Sequence, residues 1–151
     1  MNIFPTKILL VTDGSREAEL AGRTAADLAH NTGSELHVIH VIALPLDTHD
    51  PSSFEPDAWG RLEKHARTSL EELVGRIVAT GGAVEDSCLT AGRPDAEIVD
   101  WAEEIGADLI VMGSRGVGRV RRALFGSVSN SVVRHAHCPV MVIRPEKEQA
   151  A

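Results

Sequence analysis

Apolar residues along this chain follow two rhythms. In "KILLVTDGS" the run Ile8–Val11 is continuous and breaks on turn residues, and "DLIVMG", ending at Gly113, does the same. Runs without polar alternation predict strands buried on both faces. "ELHVIHVIAL" (Glu35–Leu44) predicts another strand, and "PVMVIR" the last. "AVEDSCLT" (Ala83–Thr90) alternates weakly, with Glu85 and Ser87 between apolar neighbours, as at a sheet edge.

Between the strands the period lengthens to that of a helix. Ala21, Ala25 and Ala29 fall four apart beside Leu20, Thr24 and Leu28; Ser15 is placed to cap this helix and Gly33 to stop it. Glu17 and Glu19 lie near its positive end. Leu62, Ala66, Leu70, Leu73 and Ile77 mark a second helix from Ala58 to about Thr80, closed by Gly81 and Gly82. Pro94 opens a third at its first position, with Ile98, Ala102 and Ile105 as its buried stripe and Gly106 as its stop. Ser127–Ala136 predicts a fourth, with Val128, Val132 and Val133 turned inward.

The order is therefore β-α-β-α-β-α-β-α-β. Right-handed crossovers make such strands parallel and cover the sheet with helices on both faces. One domain is expected over residues 1–146, followed by a disordered tail, 147–151. The proline-interrupted segment from Leu44 to Asp57 is long for a connection and reads as a lid or a mobile loop.

Composition narrows the function. A 151-residue chain with 43% hydrophobic content has enough apolar surface for an ordinary core. No apolar run approaches the ~20 residues that span a bilayer, and the N-terminus lacks a signal-peptide pattern. Cys88 and Cys138 stand fifty positions apart without a C-x-x-C, which agrees with a reducing, cytoplasmic setting. A pI near 5.4 and only three Phe and two Trp argue against nucleic acid as a partner. Membrane association is likewise not expected.

Against this acidic background, net charge -7, one segment stands apart. From Gly113 to Arg144 there are six arginines and no Asp or Glu, and Arg115, Arg119, Arg121 and Arg122 are interspersed with Gly113, Gly116, Gly118 and Gly126. In a doubly wound sheet, ligands settle beyond the carboxyl ends of the strands where the strand order reverses. If the first strand neighbours the fourth, Thr12 and Asp13 meet this glycine-arginine loop and the start of the Ser127 helix. Exposed amides at a helix start, glycines that admit a ligand to the main chain and nearby guanidinium groups form an anion site. Ser127 and Ser129 add hydroxyl donors, and Met112 reads as pocket wall. Phosphate is the natural guest.

Two phosphate motifs are absent. There is no G-K-[ST], and in "GVGRVR" Arg121 stands where a dinucleotide fingerprint has its third glycine. "HAHC" (His135, His137, Cys138) lacks a second ligand pair, so metal is not expected there. His37 and His40 lie on opposite faces of one strand, and Trp59 and Trp101 read as packing residues.

The spacing that fits is G-x2-G-x9-G-S: Gly113, Gly116, Gly126, Ser127. With "KILLVTDGS", "GADLIVMGSRG" and "FGSVSNSVVRHAHCPVMVIR", the chain resembles the universal stress proteins of the ATP-binding kind over nearly its whole length. The resemblance implies a Rossmann-like fold of the adenine nucleotide alpha hydrolase type, strand order 3-2-1-4-5. It implies Asp13 at the ribose with Thr12 beside it, and the Val41 backbone at adenine. It further implies Gly113, Arg115, Gly116 and Gly118 around the phosphates, with Gly126, Ser127, Val128 and Ser129 closing the site. ATP, with Mg²⁺ riding on its phosphates, is the implied cofactor. A homodimer through the final strand, Val140–Ile143, and a further protein partner are implied as well. The loop contains no carboxylate to hold a catalytic metal, which favours regulatory binding over turnover. A slow ATPase or nucleotidyl transferase is the alternative, and a nucleotide-free interaction module the second.

Overall fold

The structure, a computed structural model, describes residues 6–44, 56–114 and 126–144. Nine elements follow one another: β1 (Lys7–Thr12), α1 (Arg16–Thr32), β2 (Glu35–Ala43), α2 (Pro56–Ala79), β3 (Asp86–Gly92), α3 (Pro94–Ile105), β4 (Leu109–Gly113), α4 (Ser127–His135) and β5 (Val140–Ile143). The strands form one parallel sheet in the order β3-β2-β1-β4-β5. The order reverses between β1 and β4, the expected switch point.

Each face of the sheet has its own apolar layer. Ile8, Leu10, Leu36, Val38, Leu109 and Val111 pack against the alanine stripe of α1 and Leu70, Leu73 and Ile77 of α2. Alanine at 21, 25 and 29 lets α1 lie close to the strands. On the opposite face Leu9, Ile39, Ile110 and Met112 meet Ile98 and Ala102 of α3 and Val132 of α4. Ile8, Leu9, Leu10 and Ile110 are fully buried, each worth about 1.5–3 kcal/mol relative to an exposed side chain.

The ends of α1 form as expected. The Ser15 hydroxyl accepts from the Ala18 amide at 3.2 Å, and Gly33 takes φ 67°, the left-handed cap favoured by glycine. Two expectations are corrected. Val133 is 49% exposed, because it follows Val132 by about 100° around the helix and both cannot face the sheet. The edge strand begins at Asp86 instead of Ala83; Glu85 donates its amide to the Leu36 carbonyl before the ladder starts.

A polar connection joins the helices on the α3/α4 face. The Ser131 hydroxyl donates to the Asp95 carboxylate at 2.6 Å, and Arg93 Nε donates to the other oxygen at 2.8 Å. At the opposite end of the sheet Asp108 Oδ2 accepts from the Thr6 amide, the Thr6 hydroxyl and the Lys7 amide at 3.0, 2.8 and 3.1 Å. That carboxylate fixes the start of β1 against the start of β4.

Candidate functional site

Thr12 and Asp13 end β1, and Gly113 ends its neighbour β4. The register Leu10↔Val111 brings Thr12 level with Gly113, so the carboxyl ends of the two strands stand side by side. The turn after β1 is held by its own side chains. Asp13 Oδ1 accepts from the Ser15 amide at 2.9 Å and Thr12 Oγ1 from the Gly14 amide at 3.3 Å. Gly14 has φ +80°, and a Cβ there would stand 2.7 Å from the Ser69 hydroxyl oxygen of α2. Glycine is therefore favoured by the backbone, and a side chain here would also displace the Ser69 hydroxyl.

A groove of about 290 Å³ runs from this turn between α1 and α2. Thr12, Ser15 and Arg16 form one wall, Ser69 and Glu72 the other, and Glu19 and Arg76 form an ion pair at 3.4 Å. Its lining is predominantly polar.

The β4 side of the switch point is built around Ser114, a residue that sequence reading passed over. Ser114 is 1% exposed. Its amide donates to the Ile143 carbonyl of β5 at 2.9 Å, and its carbonyl accepts from the Gly126 amide at 2.6 Å. The two ends of the intervening loop thus meet. Ser129 reinforces the closure, its hydroxyl 3.3 Å from the Ser114 carbonyl and 3.0 Å from that of Gly126. Only the small polar residue between Gly113 and Arg115 hinted at this role.

Gly126 occupies the N-cap of α4 with no side-chain cap. The N-cap residue itself thus supplies no side-chain acceptor to the first-turn amides, and Ser127 beside it is exposed. Arg134 and His135 lie in the last turn, matching the dipole.

The remaining expected site residues sort clearly. Arg115, Gly116 and Gly118 lie outside the described residues. Met112 is 4% exposed and packs in the α3/α4-side core, and Val128 packs half-buried against the same core. The Ser129 hydroxyl is bonded to main-chain carbonyls and the residue is 2% exposed. Val41 is 8% exposed, with β2 continuing two residues beyond it. On the β3 side its ladder runs to Ala43↔Gly92, but pairing with β1 stops at Thr12↔His40. The β1–β2 ladder thus ends one residue short of Val41, at the carboxyl end of β1.

His40 and His37 occupy opposite faces as expected. His37 meets the Trp101 ring edge-on at 6.2 Å, while His40 is within electrostatic reach of Asp13 and of His65 on α2. Burial pushes the His40 pKa below 6.5; Asp13 opposes that shift and His65 adds to it. His135 Nδ1 lies 2.9 Å from the Ser131 carbonyl, and His137 pairs with Glu103 at 2.7 Å. Among the described residues no group of three His, Cys, Asp or Glu side chains could hold a metal ion. No helix among them is long and apolar enough to cross a membrane.

A five-stranded parallel sheet in this order, reversing between β1 and β4 with helices on both faces, defines a doubly wound α/β protein. The model of the universal stress protein family matches residues 5–144. The chain belongs to that family. It is 40% identical over 144 residues to a Staphylococcus epidermidis protein named as a universal stress protein, covering 93% of this chain and 84% of that one. Its fold is similar to the universal stress protein UspA from Lactobacillus plantarum, TM-score 0.83 at 27% identity, covering 95% of this chain and all of the other. It is also similar to a universal stress protein from Archaeoglobus fulgidus in complex with dAMP, TM-score 0.69 at 27% identity, covering 94% and 99% of the two chains.

Proposed function

We propose that this protein binds ATP in the crevice between the β1 and β4 turns and acts as a regulatory nucleotide-binding protein of the cytoplasm, with slow or negligible hydrolysis. The observation that carries the proposal is the closed neck at Ser114 and Gly126. It holds the ends of an arginine- and glycine-rich loop beside an exposed Ser127 and the start of α4, level with Thr12 and Asp13.

Each part of the ligand has a chemical counterpart. The α4 amides, Ser127 and the guanidinium groups of the loop, Arg115 foremost, would take the phosphates. Gly113, Gly116, Gly118 and Gly126 would admit the tail to the main chain. Asp13 would accept from ribose hydroxyls, with Thr12 beside it. The Val41 main chain, just past the last β1–β2 pair, would meet the adenine. Met112 and Val128 would support the site from the core, and Ser129 would hold the neck. The family neighbour solved with dAMP supports an adenine nucleotide as the class of ligand. Bound ATP would bring Mg²⁺ on its own phosphates, supplying charge neutralisation there.

Equilibrium dialysis tests the proposal: uptake of ATP at micromolar to millimolar concentration is expected, and no uptake at millimolar ATP overturns it. Gly116→Glu is expected to abolish uptake, since it adds a side chain and a negative charge to the phosphate site. Turnover above roughly one per second, the low end of ordinary enzymes, would instead make the protein an enzyme.

Assembly belongs to the same proposal. Strand β5 has one neighbour, β4, among the described residues, and all four of its residues are half-buried. Pairing with the same strand of a second copy around a two-fold axis would cover it. Sedimentation is expected to report a dimer; a monomer at every concentration rejects that part.

A further inference from the structure

His40 stands opposite Thr12 in the β1–β2 register and is 7% exposed. Its Nδ1 is buried and has no hydrogen-bond partner among the described residues. A buried polar atom left so costs about 1–3 kcal/mol. An apolar residue at this position would avoid that cost, so packing alone does not account for histidine here. Three elements surround the ring. Asp13 at the end of β1 and His65 of α2 act on it electrostatically, and Leu89 of β3 is its register partner. Asp13 is one residue past the register partner of His40 and is the group that would hold ribose. Its Oδ1 already takes the Ser15 amide, and a carboxylate can accept about four donors in all.

We propose that His40 is a positioning residue for Asp13, and that its protonation state sets how tightly the crevice holds the ribose of an adenine nucleotide. The inference rests on the function proposed above. With His40 neutral, Asp13 Oδ1 accepts from the Ser15 amide and the carboxylate is not drawn toward the ring. Protonation gives the ring an N–H on both nitrogens and a positive charge beside a carboxylate. The imidazolium draws the carboxylate toward itself, taking an acceptor away from the ribose, and it is repelled by His65 when that ring is charged. Nucleotide therefore binds best to the neutral form, and affinity falls on acidification. The depressed pKa of His40 places that fall below pH 6.5.

The test compares ATP binding by wild type and His40→Gln at pH 7.5 and 5.5, by calorimetry. Titration of the ATP phosphate is common to both proteins and cancels in the ratio. Wild type is expected to lose severalfold more affinity across that range than the variant, less than tenfold because His40 takes up its proton below pH 6.5. Equal pH slopes overturn the inference while leaving ATP binding in place. No ATP uptake by wild type at either pH overturns the proposed function and this inference with it. A nucleotide-free measurement covers a variant that fails to fold. In wild type, the Ser15 amide resonance is expected to shift with the same midpoint as the His40 ring. A Ser15 amide indifferent to that midpoint also overturns the inference.

Discussion

The Gly126 amide donates to the Ser114 carbonyl at 2.6 Å, tying the last residue before α4 to the first residue after β4. The Ser129 hydroxyl lies 3.3 Å from the same carbonyl, so one acceptor gathers β4, the loop's far end and the first turn of α4. Two serines two positions apart therefore have different tasks. Ser129→Ala removes a secondary donor without leaving the carbonyl bare, and is expected to cost about 1 kcal/mol of stability. Ser127→Ala is expected to leave stability unchanged and weaken ATP binding several-fold. Urea midpoints and dialysis of both variants check this contrast, which equal destabilisation would contradict.

Gly14→Ala is expected to destabilise the protein by about 1–3 kcal/mol, since it forces an alanine to φ +80° and sets its Cβ 2.7 Å from Ser69 Oγ. Adding Ser69→Ala removes that oxygen and leaves only the Ser69 Cβ at 3.6 Å, an ordinary contact. The double variant should recover the steric share and keep the backbone share. A double-mutant cycle in urea reads the difference, and strict additivity would deny the contact.

Asp108 makes stability depend on acid. Hydrogen bonds from Thr6, then the Lys7 amide, hold its carboxyl below the ordinary 3.8. A group with a depressed folded pKa stabilises above its unfolded value and loses that contribution as pH falls through the folded one. Asp108→Asn is expected to lower Tm modestly at pH 7, because the site is exposed. The gap between variant and wild type should close below about pH 4. Melting curves from pH 2 to 7 check the trend; a constant gap would exclude the ionic contribution.

Ser131→Ala should loosen α4 from α3. Burial alone pushes the Asp95 carboxyl up, but the bonds from Ser131 and Arg93 outweigh it and bring the pKa below 3.8. Removing the Ser131 donor is expected to cost about 1–2 kcal/mol and raise the Asp95 pKa. Denaturation together with carboxyl carbon shifts against pH measures both, and an unmoved Asp95 titration would refute the link.

The elements whose signals are local were legible in the sequence. Ser15 and Gly33 bracket α1 because capping chemistry is decided within a few residues, and unbroken apolar runs gave the two central strands. Where neighbours compete for one face, local pattern failed. Val132 and Val133 both read as inward, yet a helix can turn only one of them to the sheet. The same limit hid Ser114, His40 and the inward turn of the Ser129 hydroxyl. Each depends on groups that the fold brings from distant positions: Ile143 and Gly126 for Ser114, Asp13 and His65 for His40. The glycine-serine spacing marked the ends of the loop, but the bond that joins them is a product of tertiary structure.

The two rims of the sheet are unlike. One is β3, which opens on exposed Asp86 and Ser87; the other is β5, four apolar residues long. Strand addition is thus invited on one side and discouraged on the other. A symmetric pairing through β5 would use up the receptive side of both copies at once and turn two β3 rims outward. Growth of the sheet would then be self-limiting, halting at a pair where two receptive rims would have allowed a fibre.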